Sequence, residues 1–238
     1  MRTAYTVFRN LYNVRKMTMK LVLASGSQRR RELLTMCGYD YEIIVSNADE
    51  TIDENDPESF VRALSFRKAK DVFDRLFAAG RRDFAVIGSD TVVALQKEGE
   101  IKPVIIGKPK DAEDAVRILS MLSGKTHRVF TGVSVIADIP DENAAAQCSI
   151  QEKAEIQTEC SITEVTFETL SPDEITDYVN SGDPLDKAGS YGIQGPFGMF
   201  VREIRGNYFT VIGMPIPVLY KMLKKIGILP HGFYERIE

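Results

Sequence analysis

The stretch Leu21-Val-Leu-Ala-Ser25-Gly-Ser27-Gln-Arg29-Arg30-Arg31-Glu-Leu-Leu34 joins an apolar, strand-like run to a helical pattern through small residues. Its electrostatics are unusual, because three arginines occupy the first turn of the predicted helix, where the helix dipole disfavours cations. Free N–H groups and small side chains at a helix start suit a phosphate group. The alternative is a basic, solvated first turn with Ser27 as an ordinary N-cap. The stretch therefore predicts a strand–loop–helix unit whose helix start either binds an anion or faces solvent.

The composition is that of an ordinary globular protein. Of 238 residues, 44% are hydrophobic and 27% are charged. No apolar run approaches the roughly 20 residues that a membrane-spanning helix needs, so we expect no contact with a membrane. The three cysteines, Cys37, Cys148 and Cys160, are not in CxxC spacing, which fits a reducing compartment. With only two histidines in the chain, a Cys/His zinc site is not expected.

Charge is distributed unevenly along the chain. The net charge is -4, but residues 1–37 contain eight Lys/Arg and a single acidic residue, Glu32, so the remainder is strongly acidic. A nucleic-acid-binding protein would carry a spread basic face, and this pattern argues against one. A local basic pocket on an acidic body better suits a small polyanion, together with a divalent cation held by carboxylates.

The first 19 residues form a basic extension that contains Arg2, Arg9, Arg15 and Lys16 and no acid. An organellar transit segment has this character, but the extension lacks a clear amphipathic run and is poor in serine. A disordered extension is the alternative. We therefore expect a cytoplasmic protein, or an organellar one if residues 1–19 are a transit segment. Residues 20–238 show no repeat and no convincing linker, which predicts a single domain.

Hydrophobic periodicity and capping signals predict the regular elements. Asp56-Pro57 is typical of a helix start, and Ser171-Pro-Asp-Glu174 has the spacing of a capping box. We expect strands at 41–45, 84–95, 129–136 and 162–170, a stretch at 104–109 that completes a hairpin with 84–95, and helices at 57–79, 111–122, 172–182 and 218–226. Residues 138–161 are polar and alanine-rich and suggest a loop or long hairpin tip. A final hairpin is expected to turn near Gly206-Asn207.

An acidic residue interrupts the most apolar stretch of the chain. Residues 84–95 form a near-continuous apolar run, which predicts a strand covered on both faces. A carboxylate at Asp90 would cost several kcal/mol if it were buried without a partner. Asp90 must therefore meet a cation, a metal ion or a hydrogen-bond cluster. A catalytic or metal-binding role is favoured over a purely structural salt bridge.

Three further features carry polar groups that can serve a site. Lys68 and Lys70 lie on the long predicted helix, where solvent exposure is the default expectation. Lys108 precedes a proline in an extended segment and could point into a site. The loop Asp186-Lys-Ala-Gly-Ser-Tyr-Gly-Ile-Gln194-Gly is rich in glycine, and the Gln194 amide has the donor and acceptor needed to read a base edge. A turn with incidental polar residues is the alternative for this loop.

Five motifs occur in a fixed order: Leu23-Ala-Ser-Gly-Ser-Gln-Arg-Arg-Arg-Glu-Leu-Leu34, Gly88-Ser-Asp-Thr91, Gly107-Lys-Pro109, Leu122-Ser-Gly124 and the loop 186–195. Together they resemble the Maf family of nucleoside triphosphate pyrophosphatases, from about Lys20 to Ile226. The loop is similar to the family branch that acts on dTTP and UTP. Gln28 departs from the proline usual in the family, and we expect this to cost loop rigidity rather than chemistry.

The resemblance implies an α/β fold, a mixed β-sheet with flanking helices around a central cleft, similar to the inosine triphosphate pyrophosphatases. It also implies a homodimer that hydrolyses the α–β phosphate bond of a nucleoside triphosphate to give the monophosphate and pyrophosphate, with Mg²⁺ or Mn²⁺. Two other functions remain open at this stage. One is a purine-directed house-cleaning pyrophosphatase, and the other is a non-catalytic nucleotide-binding regulator linked to cell division.

The resemblance further implies roles for individual residues. Asp90 is expected to be the catalytic proton acceptor and a metal ligand, with Glu50 as the second metal carboxylate. The residues expected to hold the triphosphate are Ser25, Arg29, Arg30, Lys68 and Lys108. Those expected to influence the choice of base are Arg29, Thr91 and Gln194. Arg31 is expected to be merely solvated.

Overall fold

A seven-stranded mixed sheet lies at the centre of the residues that this computed structural model describes, which are 19–96, 98–139 and 154–231. The strands are β1 (Lys20–Leu23), β2 (Tyr41–Ile43), β3 (Phe84–Leu95), β4 (Val104–Ile106), β5 (Thr126–Asp138), β6 (Ala154–Phe167) and β7 (Val201–Arg205). Their order is β2-β1-β3-β5-β6-β7, and β4 pairs with β3. The pairs of β1 with β2 and β3 are parallel, and the other pairs are antiparallel.

Helices cover both faces of this sheet. They are α1 (Gln28–Met36), α2 (Pro57–Ala78), α3 (Ala112–Leu122), α4 (Pro172–Asn180), α5 (Tyr208–Ile212) and α6 (Ile216–Lys225). Alternate residues of a strand point to opposite faces. Leu21 and Leu23 of β1 accordingly pack with α1 and α6, whereas Val22 packs with α2. Burial on both faces explains the near-continuous apolar strand sequences and confirms the predicted mixed sheet with flanking helices.

Two glycines let α2 lie directly on the sheet. A Cβ atom added at Gly88 of β3 would lie 2.1 Å from the Ser65 carbonyl oxygen, and one added at Gly132 of β5 would lie 2.2 Å from the Val61 carbonyl oxygen. Any larger residue at either position would push the helix backbone away. The glycines thereby set the depth at which α2, and every side chain on its inner face, meets the strands.

A gap in strand pairing produces the central cleft. On one edge of β3, residues Phe84–Ile87 pair with β1 and residues Val93–Leu95 pair with β4. Between them, residues 88–92 pair only with β5, on the opposite edge. The Ala24 N–H still donates to the Ile87 carbonyl oxygen, and the chain then turns away into α1. The free edge that remains has Asp90 at its middle, and the predicted central cleft is confirmed.

Several local predictions hold within a few residues. The Asp56 side chain accepts a hydrogen bond from the Ser59 N–H at the start of α2, and Ser171 and Glu174 form the expected capping box at the start of α4. The hairpin between β3 and β4 is present, with Val93 opposite Ile106. Local side-chain chemistry fixes these boundaries, which is why the sequence reveals them.

Two local predictions are wrong. The expected strand at 162–170 begins at Ala154 and ends at Phe167, because the long β5 supplies thirteen partners that extend the pairing into the polar region. The expected hairpin at Gly206-Asn207 is absent. The Asn207 side chain instead accepts a hydrogen bond from the Phe209 N–H and starts α5 as an N-cap, so the chain turns into a helix.

The predicted basic extension and much of the predicted insertion at 138–161 lie outside the described residues, so the division of the chain into an extension and a single domain stays a prediction. Within residues 19–96, 98–139 and 154–231, no helix is both long enough and apolar enough to cross a membrane.

Candidate active site

A cleft of about 510 Å³ opens over the free edge of β3. Its volume lies within the range of ordinary small-molecule sites. The walls come from the loop after β1, the first turn of α1, the inner face of α2 and the loop that follows α4. All nine residues predicted to form the site line it: Ser25, Arg29, Arg30, Glu50, Lys68, Asp90, Thr91, Lys108 and Gln194. The structure therefore brings the predicted residues together, while their individual roles stay predictions.

The start of α1 is arranged differently from an ordinary capped helix. Ser27 occupies the N-cap position, but its side chain makes no capping hydrogen bond. Its N–H donates to the Ser25 hydroxyl oxygen at 3.3 Å. The Ser25 hydroxyl also accepts a hydrogen bond from the Arg30 guanidinium at 3.0 Å. The first turn thus lacks the side-chain cap that the simple N-cap interpretation requires, which favours the anion-binding interpretation.

Arg30 is partly buried and bonded to the protein on three sides. Its Nε donates to the Gly213 carbonyl oxygen at 2.9 Å, and its Nη2 donates to the Thr91 hydroxyl oxygen at 3.3 Å. Burial lowers the pKa of the guanidinium, and the negative charge of Asp90 opposes that shift. With the bond to Ser25, three protein acceptors fix the plane of this group. The contacts leave a rigid, positively charged wall at the helix start.

Arg29 and Arg31 flank Arg30 and differ from it. Arg29 Nη1 lies 3.1 Å from Asp186 Oδ2, and its side chain is 28% exposed. Arg31 was expected to be merely solvated, and this is wrong. It is half-buried and lines the cleft, and its Nε is buried without a hydrogen-bond partner among the described residues. All three arginines of the first turn therefore belong to one basic surface.

Lys68, Glu50 and Asp90 form a charged cluster on the opposite wall. The Lys68 Nζ lies 2.7 Å from Asp90 Oδ1 and 2.9 Å from Glu50 Oε1. The side chains of Lys68 and Asp90 are each 12% exposed. The expectation of solvent exposure is therefore wrong for Lys68, because the buried Asp90 carboxylate draws its ammonium group inward. It holds for Lys70, which pairs with Asp74 at the surface.

The cluster also provides the oxygen atoms that a divalent cation would need. Carboxylates of Glu50 and Asp90 reach the same point from two walls, and Glu50 remains largely exposed to the cleft. Mg²⁺ is usually held in proteins by one or two carboxylates, with substrate phosphates and water as its other ligands. The described residues contain no group of three or more His, Cys, Asp or Glu side chains that could hold a metal alone. The donor set therefore fits a cation that binds together with a phosphorylated substrate.

The glycine-rich loop after α4 closes the other end of the cleft. Its Gly189 N–H donates to the Gly107 carbonyl oxygen at 2.9 Å, which ties the loop to the segment carrying Lys108. Lys108 is exposed and pairs with no carboxylate among the described residues. Gln194 is likewise exposed at the rim, and its amide has no hydrogen-bond partner within residues 19–96, 98–139 and 154–231. Both side chains are available to a ligand.

A buried aromatic cluster supports this loop from behind. Tyr191 lines the cleft, and its hydroxyl lies 3.0 Å from His127 Nε2. The rings of His127 and Tyr191 each pack edge-on against Phe167, at centroid distances of 4.6 and 4.8 Å. Burial lowers the pKa of His127 to about 3, so the imidazole is neutral. The cluster is a rigid support rather than a proton donor or acceptor at neutral pH.

The sheet divides the cleft into two chemically different parts. Asp90 points toward α2, and its neighbour Thr91 points to the opposite face because side chains alternate along a strand. Thr91 shares that face with Val93 and, across the register, with Val129. Residues of the same apolar part of the lining are Tyr191, Ile193, Val211 and Ile212. The charged part suits phosphates and the apolar part suits a flat ring.

Two charged residues of the cleft were quoted in the sequence motif without a role. Asp186 pairs with Arg29, and Lys187 lies between Asp183 and Asp186, with its Nζ 2.9 and 2.8 Å from their carboxylates. Burial alone would raise the pKa of Asp186, but the bonds from Lys187 and the charge of Arg29 lower it. Their signal in the sequence is the alternation of acid and lysine within a glycine-rich loop. The buried Thr131 gave no such signal.

Comparison with known proteins places this chain in a family. The family model described as "Maf-like protein" matches residues 20–226. A protein of Agathobacter rectalis named "dTTP/UTP pyrophosphatase" is 39% identical over 217 residues, covering 88% of this chain and 98% of that protein. A protein of the same name from Bacillus thuringiensis subsp. konkukian is 42% identical over 210 residues, covering 88% and 96%. The solved Staphylococcus aureus Ham1 protein aligns with a TM-score of 0.44 at 14% identity, covering 87% of this chain and 99% of that one, which is too distant to add to the assignment.

Proposed function

The chain belongs to the Maf-like protein family, and we propose that it is a nucleoside triphosphate pyrophosphatase that acts on dTTP and UTP. The observation that carries this proposal is the cluster of Lys68, Glu50 and Asp90 facing the arginine-rich start of α1 across one cleft. Such an arrangement suits a substrate with several phosphates and a bound cation. The names of the relatives supply the base and the reaction.

The basic wall would hold the triphosphate. Arg30 is already fixed by three protein acceptors, so it offers its charge without losing further conformational freedom. Arg29 is held by one carboxylate, and Lys108 by none among the described residues, so both can turn toward phosphate oxygens. Lys68 lies between Glu50 and Asp90 and adds its charge to the same cleft. As pyrophosphate leaves, negative charge grows on these oxygens, and fixed cations stabilise that transition state more than the ground state.

Asp90 would act on the attacking water. Its carboxylate accepts the proton as the water oxygen forms a bond to the α-phosphorus, and the bond between the α-phosphorus and the bridging oxygen breaks. The products are the nucleoside monophosphate and pyrophosphate. Mg²⁺ or Mn²⁺, when bound, would neutralise phosphate charge, with Glu50 and Asp90 as its protein ligands. Lys68 keeps the two carboxylates together before the substrate binds.

The apolar part of the cleft would hold the pyrimidine. Val93, Val129 and Tyr191 offer apolar surface for the ring, and Gln194 at the rim offers an amide to its polar edge. Arg29 pairs with Asp186, which belongs to the same loop as Gln194. This pairing supports the proposal that Arg29 influences the choice of base. Homodimer formation is proposed from the family resemblance alone, and a cytoplasmic location from the few cysteines, which fit a reducing compartment.

The test is pyrophosphate release from dTTP, UTP, CTP, ATP and GTP, each with Mg²⁺ and with Mn²⁺. We expect the highest kcat/KM with dTTP and UTP and no release without a divalent cation. A preference for ATP or GTP would instead support the purine-directed alternative. Measurable nucleotide binding without any release, whichever metal is added, would support the non-catalytic regulator and refute the proposal.

A further inference from the structure

A chain of three hydrogen bonds fixes the direction of the Thr91 hydroxyl. The Thr131 Oγ1 lies 2.7 Å from the Thr210 carbonyl oxygen, which can only accept, so Thr131 donates its single proton there. Thr91 Oγ1 lies 3.0 Å from Thr131 Oγ1, and with the Thr131 proton already used, Thr91 must be the donor of that bond. Arg30 Nη2 donates to Thr91 from the other side. Thr91, which lines the cleft, is left with no proton to give and one lone pair that these bonds do not use.

We propose that Thr131 is a specificity-positioning residue, which makes Thr91 a pure acceptor and thereby selects a base that carries an N–H at this point. This proposal deepens the proposed function and rests on it. Uracil and thymine present an N3–H between two carbonyl oxygens, whereas cytosine presents a bare N3 acceptor. An acceptor-only hydroxyl accepts a hydrogen bond from the N3–H of uracil or thymine, whereas its lone pair repels the lone pair on N3 of cytosine.

The surroundings make the direction of this bond hard to reverse. Thr131 is fully buried on β5, directly opposite Thr91 in the register. Turning its hydroxyl away would leave the Thr210 carbonyl oxygen without this donor inside the protein. The Gln194 amide, by contrast, is exposed and can present either its N–H₂ or its carbonyl oxygen. Gln194 alone therefore does not distinguish uracil from cytosine, and the fixed hydroxyl supplies what the amide lacks.

The first experiment compares kcat/KM for UTP and CTP in wild type, Thr131→Val and Thr131→Ser. Valine keeps the volume but removes the acceptor for Thr91, so the Thr91 proton becomes free to turn toward cytosine N3. We expect kcat/KM for CTP to rise about tenfold in Thr131→Val, the worth of one ordinary hydrogen bond, and that for UTP to change little. Thr131→Ser keeps the hydroxyl chain and is expected to keep the wild-type UTP/CTP ratio.

Thr163→Val is the matched control. Thr163 is also a buried strand threonine, and its hydroxyl bonds the backbone of Asn207 at the start of α5, but it lies outside the cleft. This variant is expected to lose stability without a change in the UTP/CTP ratio. If Thr131→Val does not fold, Thr91→Val tests the same bond from its other end. Removing the acceptor is expected to lower the UTP/CTP ratio of kcat/KM about tenfold, because uracil loses the partner of its N3–H and cytosine loses an opposing lone pair.

Binding of α,β-imido analogues of UTP and CTP, measured by calorimetry, separates this proposal from the proposed function. If wild type releases no pyrophosphate, the proposed function fails, and the ratio of the two dissociation constants then decides the inference. A wild type that does not distinguish the two bases would overturn it. So would a folded Thr131→Val whose ratio equals that of wild type, or a Thr163→Val whose ratio falls as far as that of Thr131→Val.

Discussion

Replacement of Gly132 by alanine tests how the sheet positions the catalytic cluster. An added Cβ would lie 2.2 Å from the Val61 carbonyl oxygen and 2.5 Å from its carbonyl carbon, and both atoms belong to the backbone of α2. Because an ordinary contact of this kind is longer than 3 Å, the helix must move by about 1 Å. Overpacking of this size costs about 1–3 kcal/mol of unfolding free energy. Lys68 lies two turns further along the same helix and would move with it.

That movement reaches the site through the Lys68–Asp90 contact. The contact is 2.7 Å long and would lengthen toward the limit of a hydrogen bond. A misplacement of about 1 Å in a catalytic group lowers turnover by about 100-fold. We therefore expect Gly132→Ala to lower both the unfolding free energy, measured by urea titration, and kcat/KM for dTTP. Gly107→Ala is the stability control, because an added Cβ there meets no atom within 4 Å. Unchanged stability and activity in Gly132→Ala would refute the argument.

Three further predictions address separate elements. Ser171→Ala should cost about 1 kcal/mol of unfolding free energy by removing the capping box, with kcat/KM unchanged; a loss of activity without a loss of stability would contradict this. His127 stays neutral in the native state down to its pKa of about 3, whereas the unfolded chain protonates it from about pH 6 downward. The unfolding free energy therefore falls as the pH falls through this range, by up to about 1.4 kcal/mol per pH unit. His127→Gln should flatten that dependence in urea titrations at pH 7 and 5, and an equal slope would be evidence against it. Arg30→Lys should raise KM for dTTP at least about tenfold despite the retained charge, because the lysine ammonium cannot bond all three acceptors of the guanidinium. An unchanged KM would show that the guanidinium geometry is not needed.

The sequence predicted those parts of the fold that local chemistry determines. Asp56 and Ser171 mark helix starts through their own side chains, and the apolar run at 84–95 has the length and pattern of a strand covered on both faces. The early start of β6 at Ala154 depends instead on the length of its partner strand. The helix after Gly206 was missed because asparagine serves both in turns and as an N-cap.

The predictions of the site show the same contrast between features set by local chemistry and features set by distant parts of the chain. A carboxylate inside an apolar strand requires a partner whatever the fold, so Asp90 could be singled out from its neighbours alone. That its partner is Lys68 depends on how closely α2 approaches the sheet, which Gly88 and Gly132 decide from distant points of the chain. Thr131 gave no signal, because a threonine in a strand is common and its function depends on which atoms its hydroxyl meets in three dimensions.

The most direct test of the proposed chemistry is pyrophosphate release from dTTP by Asp90→Asn. Asparagine keeps the size of the side chain and a carbonyl oxygen for Lys68, but it cannot accept the proton of the attacking water. The matched control is Asp74→Asn, which neutralises an exposed carboxylate that also pairs with a lysine of α2. We predict that Asp90→Asn lowers kcat by at least about 100-fold while still binding an α,β-imido dTTP analogue, and that Asp74→Asn resembles wild type. Turnover by Asp90→Asn within a few-fold of wild type would contradict the account.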